Sequence, residues 1–154
     1  MVATPEVWEW LRGVMDPELP AISVVDLGIV REVEWRGEEL EVAITPTYSG
    51  CPAQAVIAKE IERTLREHGV ERVKLETRLA PAWSSDWITA RGREQLRSAG
   101  IAPPERLVQI RAAIACPHCG SANTECISEF GSTACKALHR CRECREPFDY
   151  FKVH

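Results

Sequence analysis

Thr45-Pro46-Thr47-Tyr48-Ser49-Gly50-Cys51-Pro52 is the stretch at which an alternating apolar segment stops, a tight turn intervenes and an amphipathic helix is expected to begin. Leu40, Val42 and Ile44 alternate with polar or small residues, the period of a half-buried strand. Pro46 cannot donate to a sheet ladder, so the strand ends there. Downstream, Ala53, Val56, Ile57, Ile61 and Leu65 form the core stripe of a helix running to about His68, with Gly69 as its left-handed stop. The spacing predicts Cys51 at the N-cap and Pro52 at the first helical position, where its missing N–H costs nothing. A thiol so placed faces unpaired backbone N–H groups and the positive end of the helix dipole. Both favour the thiolate, the form that attacks electrophiles or binds metal. The competing reading is a small buried apolar residue at a strand–helix junction.

On the N-terminal side, Thr4-Pro5 reads as an N-cap with proline at the first helical position, and Val7, Trp8, Leu11, Val14 and Met15 share one helical face. Asp16-Pro17 ends that helix. In Ile22-Ser23-Val24-Val25-Asp26-Leu27-Gly28 a carboxylate interrupts an apolar run; Asp26 is either a turn or capping residue or a ligand. Ile29, Arg31, Val33 and Trp35 alternate with Val30, Glu32 and Glu34, and Arg36-Gly37-Glu38 turns the chain into the Leu40–Ile44 strand as a hairpin. Val73, Leu75, Thr77 and Leu79 alternate again. The order helix–strand–strand–helix–strand predicts an α+β fold, a small and mainly three-stranded sheet packed by helices on one face. A short helix over 90–98 stops at Gly100. Before it, Trp83 and Trp87 either cover the end of the core or form a partner surface.

Ala102-Pro103-Pro104 opens a stiff linker over 102–115. Cys116-Pro117-His118-Cys119 and Cys141-Arg142-Glu143-Cys144 follow, separated by 21 residues. Two C-x-x-C knuckles near the usual spacer of about 15–20 residues predict a zinc-ribbon-like four-cysteine module over 116–154, too small to fold without such a staple. Its metal is expected to be zinc, with an iron–sulfur cluster as the alternative. Cys126 is read as a packed thiol in a strand, and Cys135 as a possible additional ligand. His118, His139 and His154 are expected to be solvated surface residues, and His68 a helix C-terminal cation without a role.

The chain of 154 residues is 45% hydrophobic and 27% charged, ordinary for a soluble globular protein. Residues 1–101 carry 12 Lys/Arg against 17 Asp/Glu, and residues 116–154 carry 5 of each. No part is strongly basic, which disfavours nucleic acid as a partner, and no segment approaches a membrane span. The N-terminus lacks the basic start and apolar core of a signal peptide, so a cytoplasmic protein with reduced thiols is expected. Six of the seven cysteines follow residue 115, marking a second module in which metal ligation is favoured over disulfides.

With Asp16-Pro17-Glu18-Leu19-Pro20, Val25-Asp26-Leu27-Gly28, the Cys51 motif, Pro81-Ala82-Trp83, Asp86-Trp87, Ser128-Glu129-Phe130-Gly131-Ser132-Thr133-Ala134-Cys135-Lys136-Ala137 and Glu146-Pro147-Phe148-Asp149-Tyr150-Phe151-Lys152 in view, the whole chain resembles the PaaD family of bacterial phenylacetyl-CoA epoxidase systems. Residues 1–101 also resemble the SufT-type family of iron–sulfur assembly factors. The resemblance implies a non-catalytic accessory protein of aerobic phenylacetate catabolism, assisting maturation of the oxygenase's iron or iron–sulfur centres. It implies Cys51 and Asp26 as a transient iron or iron–sulfur site. Partners would be the epoxidase subunits, including the iron–sulfur reductase, and general iron–sulfur assembly proteins; a homodimer stays open. The other readings are a thiol-dependent enzyme and a purely structural docking component of the complex. One thiolate and one carboxylate are a poor cage for a cluster, so a second subunit or a client would have to complete it. At the tail, Val153 stands where the family pattern expects a cysteine, and a scheme relying on that position would lack its ligand here.

Overall fold

In the computed structural model, which describes residues 2–48, 52–104, 114–133 and 135–152, the strand leading to Pro46 is β2 (Glu39–Ile44). It lies at the centre of a three-stranded sheet, antiparallel to β1 (Val30–Arg36) and parallel to β3 (Val73–Thr77), with Leu40 opposite Val73 and Ile44 opposite Thr77. The β1–β2 hairpin closes through Gly37, whose φ of 66° is the left-handed conformation that tight turns require. Being central, β2 is buried along both faces from Leu40 to Ile44, more than the half-buried strand its alternation predicts. One face carries Leu40, Val42 and Ile44 into the core. On the other, buried Glu41 is held by Arg36 at 3.0 Å and Lys74 at 3.7 Å, and Arg78 pairs with Glu32 and Glu76. The side chains of these ion pairs cover that face around Glu41.

The helices are α1 (Thr4–Leu11) and α2 (Gln54–Glu67), with Val7, Leu11, Ile57, Ile61 and Leu65 buried. Trp10 of α1 stacks on His68, just past α2, at a centroid distance of 4.3 Å. Two boundaries differ from the sequence reading. The N-cap of α1 is Ala3, not Thr4, and the helix stops at Leu11, so Met15 leaves the apolar stripe and is 43% exposed. The N-cap of α2 is Ala53, so Pro52 precedes the helix instead of opening it; Cys51 lies outside the described residues. A proline fits a pre-helical turn as readily as position N1, and sequence alone does not separate the two.

Contacts divide the chain into two units, Met1–Trp83 and Ser84–His154. The second begins with a 3₁₀ turn (Ser85–Trp87) and α3 (Ala90–Ser98), capped by the Thr89 hydroxyl, which accepts from the Gly92 N–H at 2.9 Å. Then β4 (Ile101–Ala102) pairs in parallel with β7 (Pro147–Phe151) at the edge of a four-stranded sheet of order β4-β7-β6-β5. The other strands are β5 (Thr124–Ser128) and β6 (Lys136–Cys141), antiparallel to each other, with β6 antiparallel to β7. A two-residue strand is too short to show a period, so the sequence reading places its residues at a domain end and a linker start. Residues 105–113 of that linker lie outside the described ones.

Candidate functional site

Each C-x-x-C pair sits in a knuckle closed by backbone hydrogen bonds. The Gly120 N–H donates to the Cys116 carbonyl at 2.8 Å and the Cys116 N–H to the Ser121 carbonyl at 2.8 Å; the Cys141 N–H donates to the Glu146 carbonyl at 3.0 Å. The residue after each second cysteine is left-handed, Gly120 at φ 79° and Arg145 at φ 63°. The knuckles are therefore two copies of one turn, glycine in one and arginine in the other.

Together they bring Cys116, Cys119, Cys141 and Cys144 to within 4.8 Å of one another, sulfur to sulfur. Cys119 and Cys141 are 3.5 Å apart, Cys116 and Cys144 3.8 Å. Four sulfurs about 2.3 Å from a tetrahedral ion stand about 3.8 Å apart, so this donor set fits zinc. Backbone N–H groups aim at the sulfurs, as from His118 to Cys116 at 3.4 Å. The N–H groups of Cys144 and then Glu143 lower the Cys141 thiol to about 7 despite its burial. The Glu146 N–H favours the Cys144 thiolate, but desolvation and the three neighbouring thiols outweigh it and push this thiol up to about 12. Four thiolates this close repel, and a dication is what allows all of them to ionise.

Cys135 is not among these four. It is buried, 2.9 Å from the Thr133 hydroxyl. Cys126 is exposed rather than packed, its thiol 3.7 Å from the Glu129 carboxylate. His139 is buried, contrary to the expected surface residue, stacked on Phe148 and edge-on to Tyr150, and burial lowers its pKa. His154 and Val153 lie outside the described residues.

In the first unit, β2 and β3 run parallel in register and end together at Ile44 and Thr77. The Gln54 amide at the start of α2 donates to the Thr77 hydroxyl at 3.1 Å. Both ends of the 45–53 motif are thus fixed at one edge of the sheet. The Asp26 turn is tied to the same edge, since the Thr45 N–H donates to the Ile29 carbonyl at 2.8 Å. Asp26 is 3% exposed; its carboxylate accepts from the Ser23 hydroxyl at 2.9 Å while its N–H donates to that same oxygen at 3.0 Å. The Ser-x-x-Asp spacing of this reciprocal pair was visible in the sequence, although only Asp26 is singled out there.

Trp83 is 5% exposed, and its indole N–H donates to the Leu27 carbonyl at 3.0 Å. It does not present the exposed indole expected of a partner surface. Trp87 is half-buried.

Residues 101–152 match the family model described as the PaaD zinc beta ribbon domain, and residues 5–75 that of an iron–sulfur cluster assembly protein. Over 150 residues, 96% of this chain and 91% of the relative, the sequence is 47% identical to the putative D component of 1,2-phenylacetyl-CoA epoxidase of Escherichia coli. It is 32% identical over 77 residues, 49% of this chain but 22% of the relative, to an iron–sulfur cluster carrier protein of Synechocystis. Among solved structures, a DUF59 domain of Bacillus anthracis has a TM-score of 0.56 at 24% identity, covering 60% of this chain and 89% of that one; it shows the fold. A conserved hypothetical protein of Thermotoga maritima has a TM-score of 0.53 at 28% identity, covering 62% and 94%. With near-complete coverage by one relative and a ribbon model that takes in all four knuckle cysteines, the chain belongs to the PaaD family of phenylacetyl-CoA epoxidase proteins.

Proposed function

We propose that this chain is a non-catalytic accessory protein of phenylacetate degradation that helps mature the iron or iron–sulfur centres of the phenylacetyl-CoA epoxidase complex. The observation that carries this reading is the joining, on one chain, of a segment matching an iron–sulfur cluster assembly family to a PaaD-type ribbon. Cys51 is the functional thiol in this proposal and Asp26 its companion carboxylate, together a transient iron or iron–sulfur site that a client completes. The ribbon's metal is a structural zinc and the ribbon a docking module; the clients are the oxygenase and its iron–sulfur reductase, in the cytoplasm. No described helix is long and apolar enough to cross a membrane.

Support comes from the common edge at which the Asp26 turn and both ends of the Cys51 motif are fixed. The carboxyl ends of adjacent parallel strands leave a crevice that ligand-binding loops commonly line. A purely docking role is the second reading. It is favoured by Phe130, 71% exposed on a loop held by Lys152, whose ammonium donates to the Glu129 carbonyl at 3.0 Å and lies 4.9 Å from the Phe130 ring centre.

Complementation separates the two. In a phenylacetate-degrading host lacking its own copy, Cys51→Ser is expected to abolish growth on phenylacetate and to lower iron and labile sulfide in the oxygenase or reductase, with ribbon zinc unchanged. Serine keeps the volume but loses the thiolate's affinity for soft metal. Wild-type growth and metal contents would reject the maturation role and leave the docking reading.

A further inference from the structure

We infer that Trp83 is a positioning residue for the turn that carries Asp26; its relevance to function rests on the reading just proposed. Bonds within the turn set its shape: the Leu27 N–H donates to the Ser23 carbonyl at 2.9 Å, the Gly28 N–H to the Val25 carbonyl at 3.0 Å, and Ser23 and Asp26 pair with each other. Its two ends are anchored from outside, where the Val24 N–H donates to the Val14 carbonyl at 2.9 Å and the Thr45 N–H to the Ile29 carbonyl at 2.8 Å. Trp83 supplies a long-range restraint, joining residues 56 apart in sequence through the carbonyl next to Asp26. The indole is a rigid plate with two side-chain torsions, so holding it in one place costs little entropy, and at 5% exposure water does not compete for its N–H. Gly28, at φ 82°, lets the chain leave the turn directly after the clamped carbonyl. Trp83 is also the last residue of the first unit, so the clamp fixes the chain to the Asp26 turn before the second unit begins.

Trp83→Phe keeps a ring and removes the N–H, and the test uses the full-length, zinc-loaded protein. Amide hydrogen exchange at Asp26, Leu27 and Gly28 should accelerate by up to about tenfold, the worth of one buried hydrogen bond, while Val42 and Ile61 exchange as in wild type. The Leu27 and Gly28 amide chemical shifts should also move while those of Val42 and Ile61 stay, which a residue acting only on global stability would not cause. Unchanged exchange at the turn, or equal acceleration everywhere, overturns the inference. A measurement needing no variant is exchange of the Trp83 indole N–H in wild type: it must be slow, and a freely exchanging indole overturns the inference too. Growth supported by Asp26→Asn keeps the two claims apart. If Asp26→Asn grows as wild type while Trp83→Phe loosens the turn, the clamp stands and the role of Asp26 falls. If the turn does not loosen, the clamp falls whatever the growth.

Discussion

The two units are held together by different physics. In the first, Val7, Leu11, Leu40, Val42, Ile57, Ile61 and Leu65 are all 3% exposed or less, and stability is spread over their area. In the second, a core cluster is made by Ala102, Cys116, Cys141 and Phe148, two of them thiols of the metal site, with Leu96 and Phe151 fully buried elsewhere in the unit. The contrast teaches where each unit is vulnerable: the first loses stability in increments, whereas the ribbon is concentrated at one joint.

The largest effect should come from that joint. A strong chelator, or Cys141→Ser, should remove the metal and unfold the ribbon, with an apparent loss on the order of 10 kcal/mol. Amide NMR should then show collapsed dispersion for residues 114–152 and native shifts for residues 2–83. Simultaneous collapse of both would break the comparison by making the units one cooperative body. Ile61→Ala comes next. It leaves a cavity beneath the sheet and should cost about 3 kcal/mol in the first unit's unfolding. Metal analysis should still give one zinc per chain, and lost zinc would show that the ribbon leans on that core.

How much of this was legible depends on the length of the signal. Leu40–Ile44 and Ala53–Leu65 carry several periods each, and the α+β order was read correctly from them. The knuckles are legible because ligand spacing is local. β4 was not, since two residues carry no period, and its partner β7 lies 45 residues further along. His139 was misplaced for a related reason. A histidine in a strand looks polar, and only the pairing of β6 with β7 puts Phe148 and Tyr150 around it. Trp83 was singled out with its direction open, because an indole has both an apolar body and a donor, and sequence does not say which is satisfied.

The place of β4 sharpens where the two kinds of stability meet. Ala102 is 2% exposed within the ribbon's core, so a fragment of residues 116–154 lacks a wall of that core and a fragment of residues 84–154 retains it. Both fragments should bind one zinc. The longer should be more stable by about 1–2 kcal/mol, from the apolar area that β4 covers, as read by thermal melts of the zinc forms. Equal midpoints would mean that β4 adds nothing to the ribbon.

The smallest effect concerns the two knuckles themselves. Gly120 and Arg145 hold the same position in successive turns, both left-handed, and a Cβ there strains the backbone by about 1 kcal/mol. A Cβ on Gly120 would meet nothing within 4 Å, so Gly120→Ala isolates that strain from any packing effect. Arg145→Gly should do the reverse and relieve it. Glycine also widens the unfolded ensemble, which takes back part of the gain, so the net stabilisation should be about 0.5 kcal/mol. Because folding of the ribbon and zinc binding are linked, both changes should appear in affinity: about twofold tighter zinc for Arg145→Gly and up to about fivefold weaker for Gly120→Ala, by competition with a chromophoric chelator. Opposite signs at equivalent positions are the signature of backbone strain. If Arg145→Gly weakens zinc binding instead, the arginine side chain itself supports the site, and the two knuckles are not equivalent turns.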